Sequence, residues 1–236
     1  DSNWGHKWGY KDSGFIINED MSVTFTGNRY PICGKRLPNF IPFVEEILGV
    51  RFDTKPKIQE VEKTHVTESR VNKPFLEELR KSFEENRFTL EHNERVLHSH
   101  GQHSTDEVYK VLYNKLEKFT DLVFYIESEE ETKKLIDLAK KHNVCLIPYG
   151  GGTNVTNALR PPKEESRMVV SVDTRRMNKI ETLDEENLMV VVQAGITGKA
   201  LEDGLNKRGF TVGHEPDSYE FSTVGGWVST NAAGMK

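Results

Sequence analysis

The chain has 236 residues, 36% of them hydrophobic, and its 32 Lys and Arg against 37 Asp and Glu give a net charge of −5. That length suits one large domain or two small ones with a substantial core, and the acidic balance excludes a broad electrostatic footprint for nucleic acid or an anionic membrane. No apolar stretch approaches the ~18 residues that span a bilayer, and no signal-peptide segment opens the chain.

Cys33 and Cys145 show neither a disulfide-framework nor a zinc-ligand spacing, so a reducing compartment is expected and Cys145 reads as a small buried hydrophobe. The sequence starts at Asp1 instead of Met and stops at Lys236 just after a motif-dense stretch, which reads as a piece of something longer.

Residues 1–50 open with Trp4-Gly5-His6-Lys7-Trp8-Gly9-Tyr10, an aromatic cluster expected to pack in a core or interface, and then become turn-rich. One helix is predicted, with Asn39 as N-cap, Ile41, Val44 and Leu48 along one face, and Gly49 just past its end. Residues 51–72 are charged and unpatterned, as in a linker. A second helix carries Leu76, Leu79 and Phe83; a third starts at the capping box Ser104-Thr105-Asp106-Glu107 and places Val108, Leu112, Leu116 and Phe119 on one stripe. His98, His100 and His103 precede that box with no carboxylate or cysteine at ligand spacing, so solvated surface or local packing is expected of them, not a metal site.

The pattern changes at Asp121. Leu122 to Ile126 reads as a strand, Ser128 to Glu131 as a capping box, Leu135, Ile136, Leu138 and Ala139 as a helical stripe, and Val144 to Ile147 as a second strand. Met168 to Val172 is a further strand. Lys179–Leu183 and Leu188–Val192 flank the polar turn 184–187 as a hairpin, and Thr197 caps a helix with Ala200, Leu201 and Leu205 that ends at Gly209. Eleven of the 18 glycines fall between Gly150 and Gly234.

Pro148-Tyr149-Gly150-Gly151-Gly152-Thr153-Asn154 follows directly on a predicted buried strand. Three successive glycines suit a backbone that approaches something closely or takes positive φ, and successive N–H groups in such a turn form an anion nest. A tight strand-exit turn without ligand fits the same residues. Walker A is excluded, because neither Gly34-Lys35 nor Gly198-Lys199 has a glycine five residues earlier. Asp173 stands where a Rossmann fold would carry its ribose-binding acid, but Val155 and Arg160-Pro161-Pro162 prevent the required helix. The second dense string runs from His214-Glu215-Pro216-Asp217-Ser218 through Phe221 to Gly234, with a short helix predicted near Thr223. His214 is open to a role close to a cofactor or to structural hydrogen bonding.

Pro148 to Asn154, Ala194-Gly195-Ile196-Thr197-Gly198, His214 to Ser218 and Phe221 to Thr230 are together similar to the flavin-binding domain of the vanillyl-alcohol-oxidase/PCMH flavoprotein superfamily, and within it to the branch that makes ether lipids. Lys7-Trp8-Gly9-Tyr10, Phe25-Thr26-Gly27 and Arg29-Tyr30-Pro31 resemble that branch's opening segment, so the resemblance covers essentially the whole chain.

The resemblance implies an α+β or α/β chain. A PCMH-type FAD-binding domain of two α/β subdomains occupies 121–236, incomplete at its C-terminal end and without the catalytic cap, behind a mostly helical region 1–120. FAD is held non-covalently. Pro148, Tyr149, Gly150, Gly151, Gly152, Thr153 and Asn154 surround its pyrophosphate, while Asp217, Ser218, Tyr219, Glu220, Phe221, Ser222 and Thr223, with Thr230, Asn231, Ala232 and Ala233, contact the rest. Asn231 stands where relatives often have arginine, and Tyr149 where some have isoleucine. The implied reaction exchanges the acyl group of acyl-dihydroxyacetone phosphate for a long-chain fatty alcohol through an adduct at flavin N5, without net redox change.

Peroxisomal residence, peripheral membrane association, a homodimer and a complex with dihydroxyacetone-phosphate acyltransferase come from the resemblance too. The branch's catalytic tyrosine, histidine-rich loop and phosphate-binding arginine are expected beyond Lys236, so no catalytic residue is named in this chain. Two alternatives stand beside this reading: an FAD-dependent 2-hydroxy-acid oxidoreductase of the same superfamily, and a non-catalytic flavin-binding interaction module.

Overall fold

The computed structural model describes residues 9–53 and 66–235, in two units, Asp1–Lys63 and Thr64–Lys236. The predicted packing of Trp4 and Trp8, and the middle of the 51–72 linker, lie outside the described residues. In the smaller unit, β1 (Phe15–Ile17), β2 (Val23–Phe25) and β3 (Arg36–Leu37) form an antiparallel sheet in that order. Strands of two or three residues are too short for alternation to register in a sequence, which is why this sheet adds to the helical region expected there. Helix α1 (Phe40–Leu48) follows Asn39 and closes at Gly49 in the left-handed conformation, φ 64°. Ile41 is buried, but Leu48 of the predicted stripe is exposed. The ring of Phe15 stacks on Phe40 with centroids 5.3 Å apart, so the sheet meets the first turn of the helix.

In the larger unit, α2 (Lys73–Ser82) is capped by Asn72, whose side chain accepts from the Phe75 N–H, and carries Pro74 in its first turn. A 3-10 turn at Glu85–Arg87 leads into β4 (Phe88–Thr89), and α3 (His92–Leu97) and α4 (Thr105–Leu112) follow. Then come β5 (Leu122–Tyr125), α5 (Glu129–Lys141), β6 (Cys145–Tyr149) and β7 (Val169–Asp173). The sheet order is β4-β5-β7-β6; β4 is antiparallel to β5, and β5, β7 and β6 are parallel. The β-α-β unit read from sequence is present, with β7 inserted between its strands.

Side-chain alternation divides this sheet between two environments. Leu122, Phe124, Val170 and Val172 face a core with Phe75, Leu76, Leu79, Leu135 and Ala139 of α2 and α5. Of the predicted α5 stripe, Ile136 is exposed. Ile147, Tyr149 and Val169 pack with Leu159 in a second cluster, Cys145 partly buried against them. The stripe expected over 108–119 does not form. Helix α4 ends at Leu112, Asn114 takes φ 55°, and the face that α4 buries carries Glu107 and Val111 while Leu112 is exposed. The N-cap half of the capping box is correct, since Ser104 Oγ accepts from the Glu107 N–H, but the carboxylate turns to Gly101, Asn154 and Arg160 instead of the Ser104 N–H, and a buried glutamate is invisible to a hydrophobic-stripe argument.

A third core joins β8 (Ile180–Asp184) and β9 (Met189–Val192), paired as the predicted hairpin, to α6 (Gly198–Asn206) through Ile180, Leu183, Val190, Val192, Leu201 and Leu205. Thr197 caps α6 as expected, and Ala200 is exposed instead of joining the buried face. Helix α7 (Val224–Thr230) is capped by Thr223 and ends at Asn231 in the left-handed region, φ 51°. No helix among the described residues is long and apolar enough to cross a membrane.

Candidate functional site

Parallel pairing brings Tyr125, Asp173 and Tyr149 into one row at the carboxyl ends of β5, β7 and β6, the end of such a sheet at which ligands sit. His98 anchors the row: its Nε2 lies 2.9 Å from Asp173 Oδ2, its Nδ1 2.7 Å from the Glu94 carbonyl, and its ring 4.4 Å from that of Tyr149. Arg175 bonds Asp173 through Nε (2.9 Å) and Nη2 (2.5 Å) and lies over the Tyr149 ring. Burial raises the Asp173 carboxyl, but hydrogen bonds from His98 and Arg175 outweigh it and hold it at about 2. Burial pushes the Tyr149 phenol up to about 12, and burial with the Glu94 hydrogen bond raises Tyr125 too. Asp173 is thus engaged by neighbouring side chains and is no ribose ligand.

The glycine loop leaves this row at Gly150. The backbone N–H groups of Gly150, Gly151, Gly152 and Thr153 find no acceptor among the described residues, while Gly152 and Asn154 take φ of 72° and 51°. Four successive donors in a turn with left-handed positions are the makings of an anion nest. The glycines answer a different demand. A Cβ on Gly150 would lie 2.3 Å from Thr223 Oγ1, and one on Gly151 would lie 1.8 Å from the Phe221 carbonyl oxygen. The loop therefore presses directly on the second glycine-rich segment, and the absent side chains make room for the Thr223 side chain at Gly150 and for the Phe221 main chain at Gly151.

At its far end the loop is tied down by charge. Glu107, fully buried, accepts at Oε1 from the Gly101 N–H (2.9 Å), Asn154 Nδ2 (2.8 Å) and Arg160 Nε (3.1 Å), and at Oε2 from Ser104 Oγ (3.2 Å). Asn154 Oδ1 accepts from the Leu159 N–H (2.9 Å), and the Gln102 N–H donates to the Gly152 carbonyl (2.8 Å). Pro148, exposed, pairs across the sheet with Val172, and the Thr153 side chain is half-buried.

The second segment is held by neutral groups. Thr223 pairs with Thr197 in an isolated bridge, and the N–H groups of Val224 and Gly225 donate to the carbonyls of Ile196 (3.0 Å) and Ala194 (2.8 Å). Ser222 Oγ donates to the Asp217 carbonyl and receives Trp227 Nε1 at 2.8 Å. Ser218, φ 58°, accepts both the Phe221 and Ser222 N–H groups; Tyr219 is exposed and Glu220 half-buried. Thr230, the last residue of α7, and Asn231 after it are exposed, the Ala232 N–H donates to the Trp227 carbonyl, and Ala233 is exposed. His214 meets Trp227 edge-on, centroids 5.5 Å apart, and lines a cavity of about 180 Å³ with Glu202, Val212 and Tyr219.

The structure thus brings 149–154 against 221–223 and leaves Thr230 to Ala233 at the other end of α7. Sequence reasoning missed the groups that hold the loop: His98, Glu107, Arg160, Asp173 and Arg175. His98 and His100 are buried, so they belong to the packing expected of them and not to solvent, while His103 is exposed, its Nδ1 3.0 Å from Ser218 Oγ. No cluster among the described residues could hold a metal ion.

Comparisons with known proteins bear on this site. The FAD binding domain family matches residues 120–236. An alkyldihydroxyacetonephosphate synthase of Caenorhabditis elegans is 45% identical over 231 residues, 97% of this chain and 38% of its own length. One from Trypanosoma brucei brucei is 33% identical over 97% of this chain and 38% of its own. A solved alkyldihydroxyacetonephosphate synthase structure superposes with a TM-score of 0.87 at 32% identity, covering 98% of this chain and 44% of the other. The chain therefore spans about two fifths of the curated relatives it matches.

Proposed function

The chain belongs to the FAD-binding protein family of the alkyldihydroxyacetonephosphate synthases, and from that premise we propose that it forms the cofactor-holding part of an ether-lipid enzyme. The proposed reaction replaces the acyl group of acyl-dihydroxyacetone phosphate with a long-chain fatty alcohol. The observation that carries the reading is the run of four N–H groups from Gly150 to Thr153, at the carboxyl end of the parallel strands, that find no acceptor among the described residues. Such donors suit a pyrophosphate. Pro148 to Asn154 hold that group, and Asp217 to Thr223 with Thr230 to Ala233 hold the rest of FAD.

When bound, FAD supplies an electron sink at its N5 for the exchange, with no net change of oxidation state. This chain's own residues bind and orient. The N–H groups receive negative charge, the Glu107 and Asp173 networks keep the loop from relaxing around it, and the close seam between 150–151 and 221–223 backs the loop from the rear. No group of this chain is assigned a proton transfer. The FAD-binding domain is placed at 121–236 behind the region 1–120. Peroxisomal residence, peripheral membrane contact, a homodimer and a complex with dihydroxyacetone-phosphate acyltransferase belong to the same proposal.

The test uses the full-length protein. Labelled fatty alcohol is expected to enter acyl-dihydroxyacetone phosphate with one fatty acid released per ether formed, the flavin spectrum being the same before and after. Anaerobic bleaching by D-lactate, with reduced flavin as product and no exchange, would favour a 2-hydroxy-acid oxidoreductase instead. Against that rival stands the Caenorhabditis elegans match, which runs through nearly all of this chain when the FAD binding domain accounts for 120–236 alone. Retained FAD without any exchange would favour the non-catalytic module.

A further inference from the structure

Glu107 is a fully buried carboxylate on the short helix α4, outside the matched domain, which starts at residue 120. A carboxylate in such a place is costly unless every lone pair is used, and here four donors converge on it: the Gly101 N–H, Asn154 Nδ2, Arg160 Nε and Ser104 Oγ. Capping its own helix needs one of these. The other three tie together pieces far apart in sequence, and two of them belong to the loop and its exit. Gly101 has no room for a side chain, since a Cβ there would lie 2.3 Å from Asn154 Cβ and 2.6 Å from Glu107 Oε2. Its neighbour Gln102 donates its N–H to the Gly152 carbonyl at 2.8 Å. One carboxylate therefore grips the turn from both sides, by the Asn154 side chain and by the 101–102 backbone that clasps Gly152.

We propose that Glu107 is a positioning residue for FAD: it fixes Asn154 in its left-handed conformation and holds the carbonyl of Gly152 away from the ligand, so that the N–H groups of Gly150 to Thr153 converge where the pyrophosphate binds. The proposal rests on the FAD reading above. It adds that the site extends to residues ahead of the FAD-binding domain, and that the loop's anion affinity is set from behind by a negative charge that the anion never meets. Glu107 touches no reacting atom in this scheme; it acts through Asn154 and Gly101.

Full-length protein, freed of FAD by dialysis against concentrated bromide, is titrated with FAD by flavin fluorescence, and the thermal midpoint of each apo form is recorded. E107Q keeps the shape of the side chain but removes the negative charge from three converging N–H donors, and N154G removes the loop's handle while glycine accepts the φ of 51°. Each is expected to weaken FAD binding by about tenfold, the scale of one lost buried hydrogen bond. Because the two act through one contact, the double variant is expected within about threefold of the weaker single one, not a hundredfold below the parent. L135A, which opens a cavity on the opposite face of the sheet, is expected to lower the apo midpoint more than E107Q does while leaving FAD affinity within about threefold.

Parent-like affinity in E107Q, a multiplicative loss in the double variant, or an equal loss in L135A overturns the proposal. Should E107Q fail to fold, N154G still decides, because it leaves the carboxylate with Gly101, Arg160 and Ser104; unchanged affinity in N154G overturns it too. A parent protein that binds no FAD sinks the functional reading and this proposal with it, and is told apart because the failure then precedes any substitution.

Discussion

The two segments that meet at the candidate site are built in opposite ways. The loop after β6 is clamped by buried charge: Glu107 behind Asn154, and Asp173 with His98 and Arg175 beneath Tyr149. The segment 217–223 is clamped by main chain and hydroxyl groups, through the Thr197–Thr223 bridge, the Ala194 and Ile196 carbonyls, and Ser222 on Trp227. Buried charges hold geometry stiffly but fail badly when one partner is lost. Neutral main-chain packing loses less when one partner is removed, but has no room for an added atom. The first segment is therefore expected to break hardest by subtraction, and the seam where the two segments meet by addition.

The largest effect tests the subtractive side. D173A leaves the Arg175 guanidinium and the His98 ring without their shared acceptor in a buried site, and is expected to cost about 3–5 kcal/mol in urea unfolding. The same group makes the contrast visible as a function of pH. The folded carboxyl titrates at about 2, below the ~3.9 of an unfolded aspartate, so its contribution is complete above pH 4 and disappears as pH falls through 2. The parent protein should lose about 2–3 kcal/mol over that window, and D173N should lack that part of the acid transition. An identical acid limb in both proteins would break the charge-clamp account of the loop.

Addition is tested at the seam. G151A places a methyl group against the Phe221 carbonyl, where the built Cβ lies 1.8 Å away, and should cost about 1–3 kcal/mol as the two segments are pushed apart. A loss of FAD in such a variant reports the seam as much as the nest, because the obstacle is protein and not ligand. Next in size, S222A removes the acceptor of the buried Trp227 indole N–H and should cost about 1–2 kcal/mol, with a change in indole fluorescence that G151A shares only if the seam opens as far as α7.

How much of this could be read beforehand divides along the same line. The parallel strands, the hairpin, the caps at Ser104, Ser128, Thr197 and Thr223, and both glycine-rich segments follow from local periodicity and turn chemistry, which neighbouring residues determine. The charge clamp does not. Glu107 looks like any capping-box acid, and its reach to Asn154 depends on where α4 packs, 47 positions away in sequence. His98 looks like a polar-turn histidine until β7 delivers Asp173 beside it. The missed sheet of the smaller unit has another cause, strands too short to show a period.

The smallest effect sharpens the comparison most, because it asks whether the second segment carries any side-chain clamp from the first. His103 Nδ1 lies 3.0 Å from Ser218 Oγ, and this contact joins the turn ahead of α4 to the start of the 217–223 segment. Both groups reach solvent, so water replaces either partner at little cost, and H103A is expected to change stability by no more than about 0.5 kcal/mol. S218G, which retains the φ of 58° while deleting the hydroxyl, is expected to do the same, and the double variant to equal the sum of the two. A coupling above about 1 kcal/mol in that cycle would mean that the neutral segment is held from the charged side after all, and the two halves of the site would then be one clamp instead of two.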